Sequence, residues 1–268
     1  MSGMEFGLSG KVVFLTGATS SMGAPAARAF AAEGARVAVT YHRDTGGARR
    51  VADEVEALGG KAITVRYDLT RPEVITAAVE EVIAAWGGID VLVLNASSVG
   101  GTSVDPVPFE DIPAEHWTAG LRADVEGAFH TVQAVVPSMK ARGWGRIVAI
   151  SANVVVRGAA GDELFVVAKT ALHGLSRTLA TELAPFGVLS NVVAPGPTVT
   201  DGFLRRMPPE ILEQIAGRPP EEVKRVLNRG KPVGHVSTAE EVANAVVFLG
   251  SAANGNISGN ALHISGGH

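Results

Sequence analysis

The densest chemical signal in the chain is Thr16-Gly17-Ala18-Thr19-Ser20-Ser21-Met22-Gly23. It follows a short apolar run and opens a helical pattern. A glycine turn in that place lets a pyrophosphate approach backbone amides at a helix N-terminus. Gly17 and Gly23 bracket the turn; Ser20, Ser21 and Met22 lie between, with Ser21 where a dinucleotide fingerprint carries glycine. A tight βα turn is the plainer explanation, but the placement favours phosphate. Other chemistries are disfavoured. The seven histidines are dispersed without paired spacing, which argues against a metal site, and zero cysteines remove any thiolate nucleophile, thiolate metal ligand or disulfide.

The elements that would carry this turn alternate strand and helix. Apolar runs at 11–16, 36–40, 62–66, 90–94, 146–151, 188–193 and 261–264 read as strands. Between them, helical spacing places Val51, Val55 and Leu58 on one face, and Ile75, Val79, Val82, Ile83 and Trp86 on another. Further helices are expected near 114–142, 164–184 and 239–249. Short, nearly all-apolar strands separated by helices predict an α/β fold, a Rossmann-type doubly wound parallel sheet. Residues 201–231 break the rhythm with two Pro-Pro pairs, at 208–209 and 219–220. They read as two short helices inserted before the last αβ unit, placed as a substrate lid or as a surface excursion.

Composition sets the outer bounds. With 268 residues, 46% hydrophobic and 19% charged, the chain suits one domain over 1–268 with a sizeable core. A net charge of −4 suggests neither nucleic acid nor an anionic membrane as partner. Residues 1–11 lack the blocks of a signal peptide, and no apolar run reaches bilayer length, so a soluble cytoplasmic protein is expected.

From Leu8 to Gly267 the chain resembles the classical short-chain dehydrogenase/reductase family. Residues 16–23 resemble its TGxxxGxG loop. Asp68 resembles the acid that holds the adenine, and Asn95-Ala96-Ser97 the NAG motif, with serine for glycine. Pro195-Gly196-Pro197-Thr198-Val199-Thr200 is similar to the family's PG segment, whose threonine binds the nicotinamide carboxamide. Ile257-Ser258-Gly259 and Ser265-Gly266-Gly267 match its C-terminal segment, again with a serine substituted. The resemblance implies a nicotinamide cofactor, a small-molecule substrate, and a homodimer or homotetramer built through two long helices. An NAD enzyme carries a carboxylate at the end of strand two to hold the ribose 2′-hydroxyl. This chain has Tyr41-His42-Arg43, with no acid until Asp44, and Arg43 can pair with a 2′-phosphate. NADP(H) is therefore expected over NAD(H).

The resemblance also implies an Asn–Ser–Tyr–Lys tetrad, and here the pattern departs. Lys169 stands for the lysine. The tyrosine position is Phe165, the serine position Ala152 and the asparagine position Asp124. A phenyl ring has no proton to give, and a positioned general acid is worth about 10²–10⁴-fold. The expectation is a degenerate site: an atypical oxidoreductase on a carbonyl or enone, or a non-redox enzyme (isomerase, cyclase or lyase), or a cofactor-binding pseudoenzyme. Asp124 is expected to pair with Lys169. Asn153, Asp162 and Glu163 could reach a ligand, with Asp162 more simply a helix N-cap. Ser97 and Ser98 could face the nicotinamide, and His173 is expected to pack in its helix or at a subunit contact.

Overall fold

The computed structural model describes residues 5–100, 107–205, 207 and 209–267. Its elements in order are β1 (Val12–Leu15), α1 (Gly23–Ala32), β2 (Arg36–Tyr41), α2 (Thr45–Ala57), β3 (Lys61–Arg66), α3 (Pro72–Trp86) and β4 (Val91–Leu94). Then come α4 (Ala114–Leu121), α5 (Gly127–Arg142), β5 (Gly145–Ile150), α6 (Val154–Arg157), α7 (Glu163–Leu183) and β6 (Val188–Pro195). The last are α8 (Asp201–Arg205), α9 (Pro209–Ile215), α10 (Pro220–Leu227), α11 (Ala239–Leu249) and β7 (Ala261–Ile264).

The seven strands form one sheet in the order β3-β2-β1-β4-β5-β6-β7, and every pairing is parallel. The expected Rossmann-type architecture is what folds. Side chains alternate across each strand, so each strand feeds both faces of the sheet. Val13 and Leu15 of β1 join Val91 and Val93 of β4 beneath Phe30, Val51 and Val246. Val12, Phe14, Leu92 and Leu94 go to the opposite face, against Ile75, Val82, Val135, Met139 and Leu183. This double burial is why the central strands carry almost no polar residue. Among the described residues no helix is long and apolar enough to cross a membrane.

Strand order reverses between β1 and β4, and the loops after these two strands diverge there to leave a crevice. Local chemistry fixes the helices around it. Asp44 accepts the Gly47 amide at 2.8 Å and caps α2. Thr238 and Glu241 form a reciprocal capping box on α11.

Three expectations need correction. Leu58 is 47% exposed, because α2 ends at Ala57 and the chain turns before Leu58 can join Val51 and Val55 in the core. The helical span expected over 114–142 is divided by a π turn, Arg122–Glu126, between α4 and α5. The 201–231 segment carries three short helices rather than two, since Thr200 supports an additional one by accepting the Phe203 amide at 3.1 Å. Pro208 lies outside the described residues.

Candidate active site

The crevice at the strand reversal holds a cavity of about 510 Å³. Gly17, Ser20, Ser21 and Met22 line one side. His42, Tyr67 and Asp68 line the second, and Asn95, Ser97, Ser98, Phe165 and Lys169 the third.

The glycine turn is built for close approach. Gly17 has φ +64°, and a Cβ there would lie 3.0 Å from both Ala96 Cα and Asn95 Nδ2. A Cβ on Gly23 would come within 2.3 Å of the Gly17 carbonyl, so the first turn of α1 can close only with glycine. Asn95 ties the turn to β4: its Nδ2 donates to the carbonyls of Thr16 and Gly17, both at 2.9 Å, and to Ser20 Oγ at 3.1 Å. Thr16 Oγ1 accepts the amides of Asn95 and Ala96. Thr40 Oγ1 accepts the Gly17 amide at 2.9 Å. A rigid cradle of small residues at the start of a ten-residue helix results, and it fits a pyrophosphate.

Asp68 is buried at the second wall. Burial alone would raise its pKa, but the hydroxyl and amide of Thr70, with His42 and Arg71 nearby, hold it below the usual carboxylate value. His42 Nε2 lies 3.3 Å from Asp68 Oδ2. Arg43, by contrast, is exposed and does not line the cavity, whereas His42 does.

At the third wall, Lys169 is 6% exposed on α7, and its Nζ donates to the Ile150 carbonyl at 3.4 Å. The Phe165 ring, one turn earlier on the same face, is centred 5.8 Å from that nitrogen. Burial pushes the Lys169 ammonium below its ordinary pKa, and the charge of Asp124 opposes the shift. Yet the expected Asp124–Lys169 ion pair does not form; among the described residues Lys169 has no carboxylate in ion-pair contact. The Asp124 oxygens are taken instead by the amide and hydroxyl of Ser98, each at 2.7 Å, and by the hydroxyl of Ser97. Three donors on one adjoining loop outcompete a single ammonium on another element.

Ala152 is half-buried beside Ser151, whose hydroxyl donates to the Lys169 carbonyl at 3.1 Å and meets His173 Nε2 at 2.9 Å. His173 is buried, as a packed helix residue should be. The chain's two tyrosines, Tyr41 and Tyr67, both line the cofactor side of the cavity. Tyr67 Oη is bonded to Thr131 Oγ1 at 2.7 Å, and burial pushes its pKa upward, so it makes a poor acid.

Several expected site residues are not gathered here. Pro195, Thr198 and Thr200 do not line the cavity. Thr198 donates its hydroxyl to the Gly196 carbonyl at 3.0 Å, and Thr200 serves α8. Asn153 Oδ1 meets His263 Nδ1 at 2.7 Å, and Glu163 accepts the Gly161 amide at 3.0 Å. Asp162 occupies the N-cap position of α7 and is buried, but its side chain does not cap the helix. No described residue of 201–231 borders the cavity. Sequence reasoning missed Thr40, His42 and Tyr67 as wall residues. A threonine and a tyrosine at strand ends carried the only signal.

A family model described as Enoyl-(Acyl carrier protein) reductase matches residues 17–268. The chain is 36% identical to the 3-oxoacyl-[acyl-carrier-protein] reductase of Aquifex aeolicus, over 98% of this chain and 99% of that one. A 7α-hydroxysteroid dehydrogenase complexed with NADH and 7-oxo glycochenodeoxycholic acid superposes with a TM-score of 0.86 at 29% identity, covering 100% and 97% of the two chains. L-Sorbose reductase from Gluconobacter frateurii, complexed with NADPH and L-sorbose, gives 0.87 at 30% identity, covering 98% of each. Matched over nearly its whole length in sequence and in backbone fold, the chain belongs to the classical short-chain dehydrogenase/reductase family of NAD(P)-dependent oxidoreductases.

Proposed function

We propose that the protein is an atypical oxidoreductase that uses NADP(H) on a small organic carbonyl or enone without a tyrosyl proton donor. The observation that carries the reading is Lys169 and Phe165 side by side on the wall of a cavity whose other walls fit a dinucleotide. The glycine cradle takes the pyrophosphate, Asp68 the adenine, and Arg43, from the exposed strand end, a 2′-phosphate. Lys169 holds the nicotinamide ribose. The bound cofactor supplies or accepts hydride.

What the chain does next follows from the ring at 165. A ketone that accepts hydride becomes an alkoxide and needs a proton at once, and no hydroxyl is offered from Phe165 or Ala152. An enone accepts hydride at its β carbon and leaves an enolate, which water can protonate afterwards. The site therefore suits activated C=C bonds better than isolated ketones. The relatives named as dehydrogenases and reductases support a small carbonyl-bearing substrate. The 201–231 helices serve as its lid, and the chain assembles as a homodimer or homotetramer through its long helices.

The Phe165 ring also favours a second reading, in which the pocket serves isomerisation, cyclisation, elimination or cofactor binding alone. Single-turnover absorbance of protein-bound NADPH against a panel of ketones and enones separates the two. Oxidation of NADPH by an enone, with simple ketones slow, is the expected result. NADPH that binds and is consumed by no panel member would move the assignment to the second reading.

A further inference from the structure

We propose that Ser97 and Asp124 form one positioning unit, which seats the loop after β4 and fixes the cavity wall that faces Lys169. Asp124 is 7% exposed and sits in the π turn between α4 and α5. A π turn is a local departure from α geometry that recurs at functional sites. Its carboxylate gathers three donors from two consecutive residues of that loop: Ser98 N, Ser98 Oγ and Ser97 Oγ. The Val99 carbonyl, 3.1 Å from Ser97 Oγ, is a second acceptor for the single hydroxyl proton, and the charged Asp124 carboxylate is the stronger of the two.

The geometry makes the two residues depend on each other. A carboxylate only accepts hydrogen bonds, and here every donor points at it. Glycine at 97 would strip one oxygen of its donor. Asparagine at 124 would replace that oxygen with an amide donor. In the family pattern these positions read glycine and asparagine; in this chain both differ, and the two differences meet in one hydrogen bond.

The charge of Asp124 also opposes the downward push of burial on the Lys169 ammonium, without an ion-pair contact between them. Lys169 is otherwise faced by the Ile150 carbonyl from β5 and the Phe165 ring from its own helix. Tyr67 beyond β3 is tied to Thr131, and His173 on α7 is bonded to Ser151. Asp124 is thus the charge that favours the ammonium form of Lys169.

Two measurements test the unit, and only the second rests on the cofactor reading. The first is denaturant unfolding of the cofactor-free protein with Ser97→Ala, Asp124→Ala and the double variant. Their losses should fall short of multiplicative by about threefold or more in the unfolding constant. Strict additivity would overturn the coupling. The second is the pH profile of NADPH affinity, where binding weakens at high pH as Lys169 loses its proton. Asp124→Asn keeps the side-chain shape and removes the charge, so that limb should move down by about one pH unit. Lys169→Met should lack the limb altogether. A limb unmoved in Asp124→Asn would overturn the charge role, which a purely structural contact would not produce. If Asp124→Ala does not fold, Asp124→Asn takes its place in the unfolding cycle with Ser97→Ala, and strict additivity there overturns the coupling. If the parent protein binds no dinucleotide, the cofactor reading falls while the unfolding cycle still decides the unit.

Discussion

The ammonium of Lys169 stands 5.8 Å from the centre of the Phe165 ring, within reach of a cation–π contact. The ring thus occupies the neighbourhood in which a hydroxyl would have been activated by the lysine. Phe165→Tyr combined with Ala152→Ser supplies a donor and an orienting hydroxyl beside that charge. Ketone reduction with NADPH should rise by about 10²-fold or more, and each single change should give less because both act on one carbonyl. Steady-state kinetics on a simple ketone check this. Fast ketone turnover by the unaltered protein would contradict it.

Cofactor preference gives the second prediction. NADPH should bind more tightly than NADH, since Arg43 can pair with a 2′-phosphate and Asp44, the nearest acid in sequence, is committed to capping α2. Arg43→Ala should reduce that preference by about tenfold, the order of one charge-assisted hydrogen bond. Calorimetric titration of both cofactors measures it, and an unchanged ratio would discard the Arg43 assignment in favour of His42, which does line the cavity.

A third prediction concerns the scaffold. Asp90, 1% exposed, accepts the Val12 amide at 2.9 Å and also meets Lys11 at 3.2 Å and Arg142 at 3.0 Å. Both cations are partly exposed, so their pairing contributes little; the buried amide is the larger concern. Asp90→Ala should cost about 2 kcal/mol, chiefly by leaving the Val12 amide without its acceptor. Urea unfolding reads this directly. A loss of a few tenths would mean that water replaces the carboxylate.

The fourth is a pH dependence. His173 has its pKa pushed below the ordinary 6.5, first by burial, then by the charges of Arg177 and His263. Above about pH 6.5 the imidazole is neutral in both folded and unfolded states, and stability is unaffected. Below it the unfolded chain gains a proton that the folded chain refuses, so stability falls until the pH passes the folded value. His173→Gln keeps a donor for Ser151 and cannot titrate; its stability should decline less between pH 6.5 and 5. Equal slopes in the two proteins would assign the decline to other groups.

Much of this was legible in the residues themselves. Runs such as Val12–Leu15 and Val91–Leu94 are apolar at every position, and only a strand covered on both faces tolerates that. Gly17 and Gly23, flanking small residues after such a strand, announced the cradle because no other residue fits its contacts. Phe165 and Ala152 stood out by the family's spacing from Lys169, and Asp124 by its place in the pattern Asp124-Val125-Glu126-Gly127, where the resemblance implies Asn-x-x-Gly. Those signals are local or periodic, so the sequence carries them unaided. Hydrogen-bond partners are another matter, because they depend on which loops the sheet brings side by side. Only the tertiary structure turned Asp124 towards Ser97 and Ser98 rather than Lys169, sent the hydroxyl of Thr198 to the Gly196 carbonyl, and put His42 rather than Arg43 on the wall. Each choice is a competition among donors and acceptors distant in sequence. It is settled by distance and burial, which no spacing along the chain records.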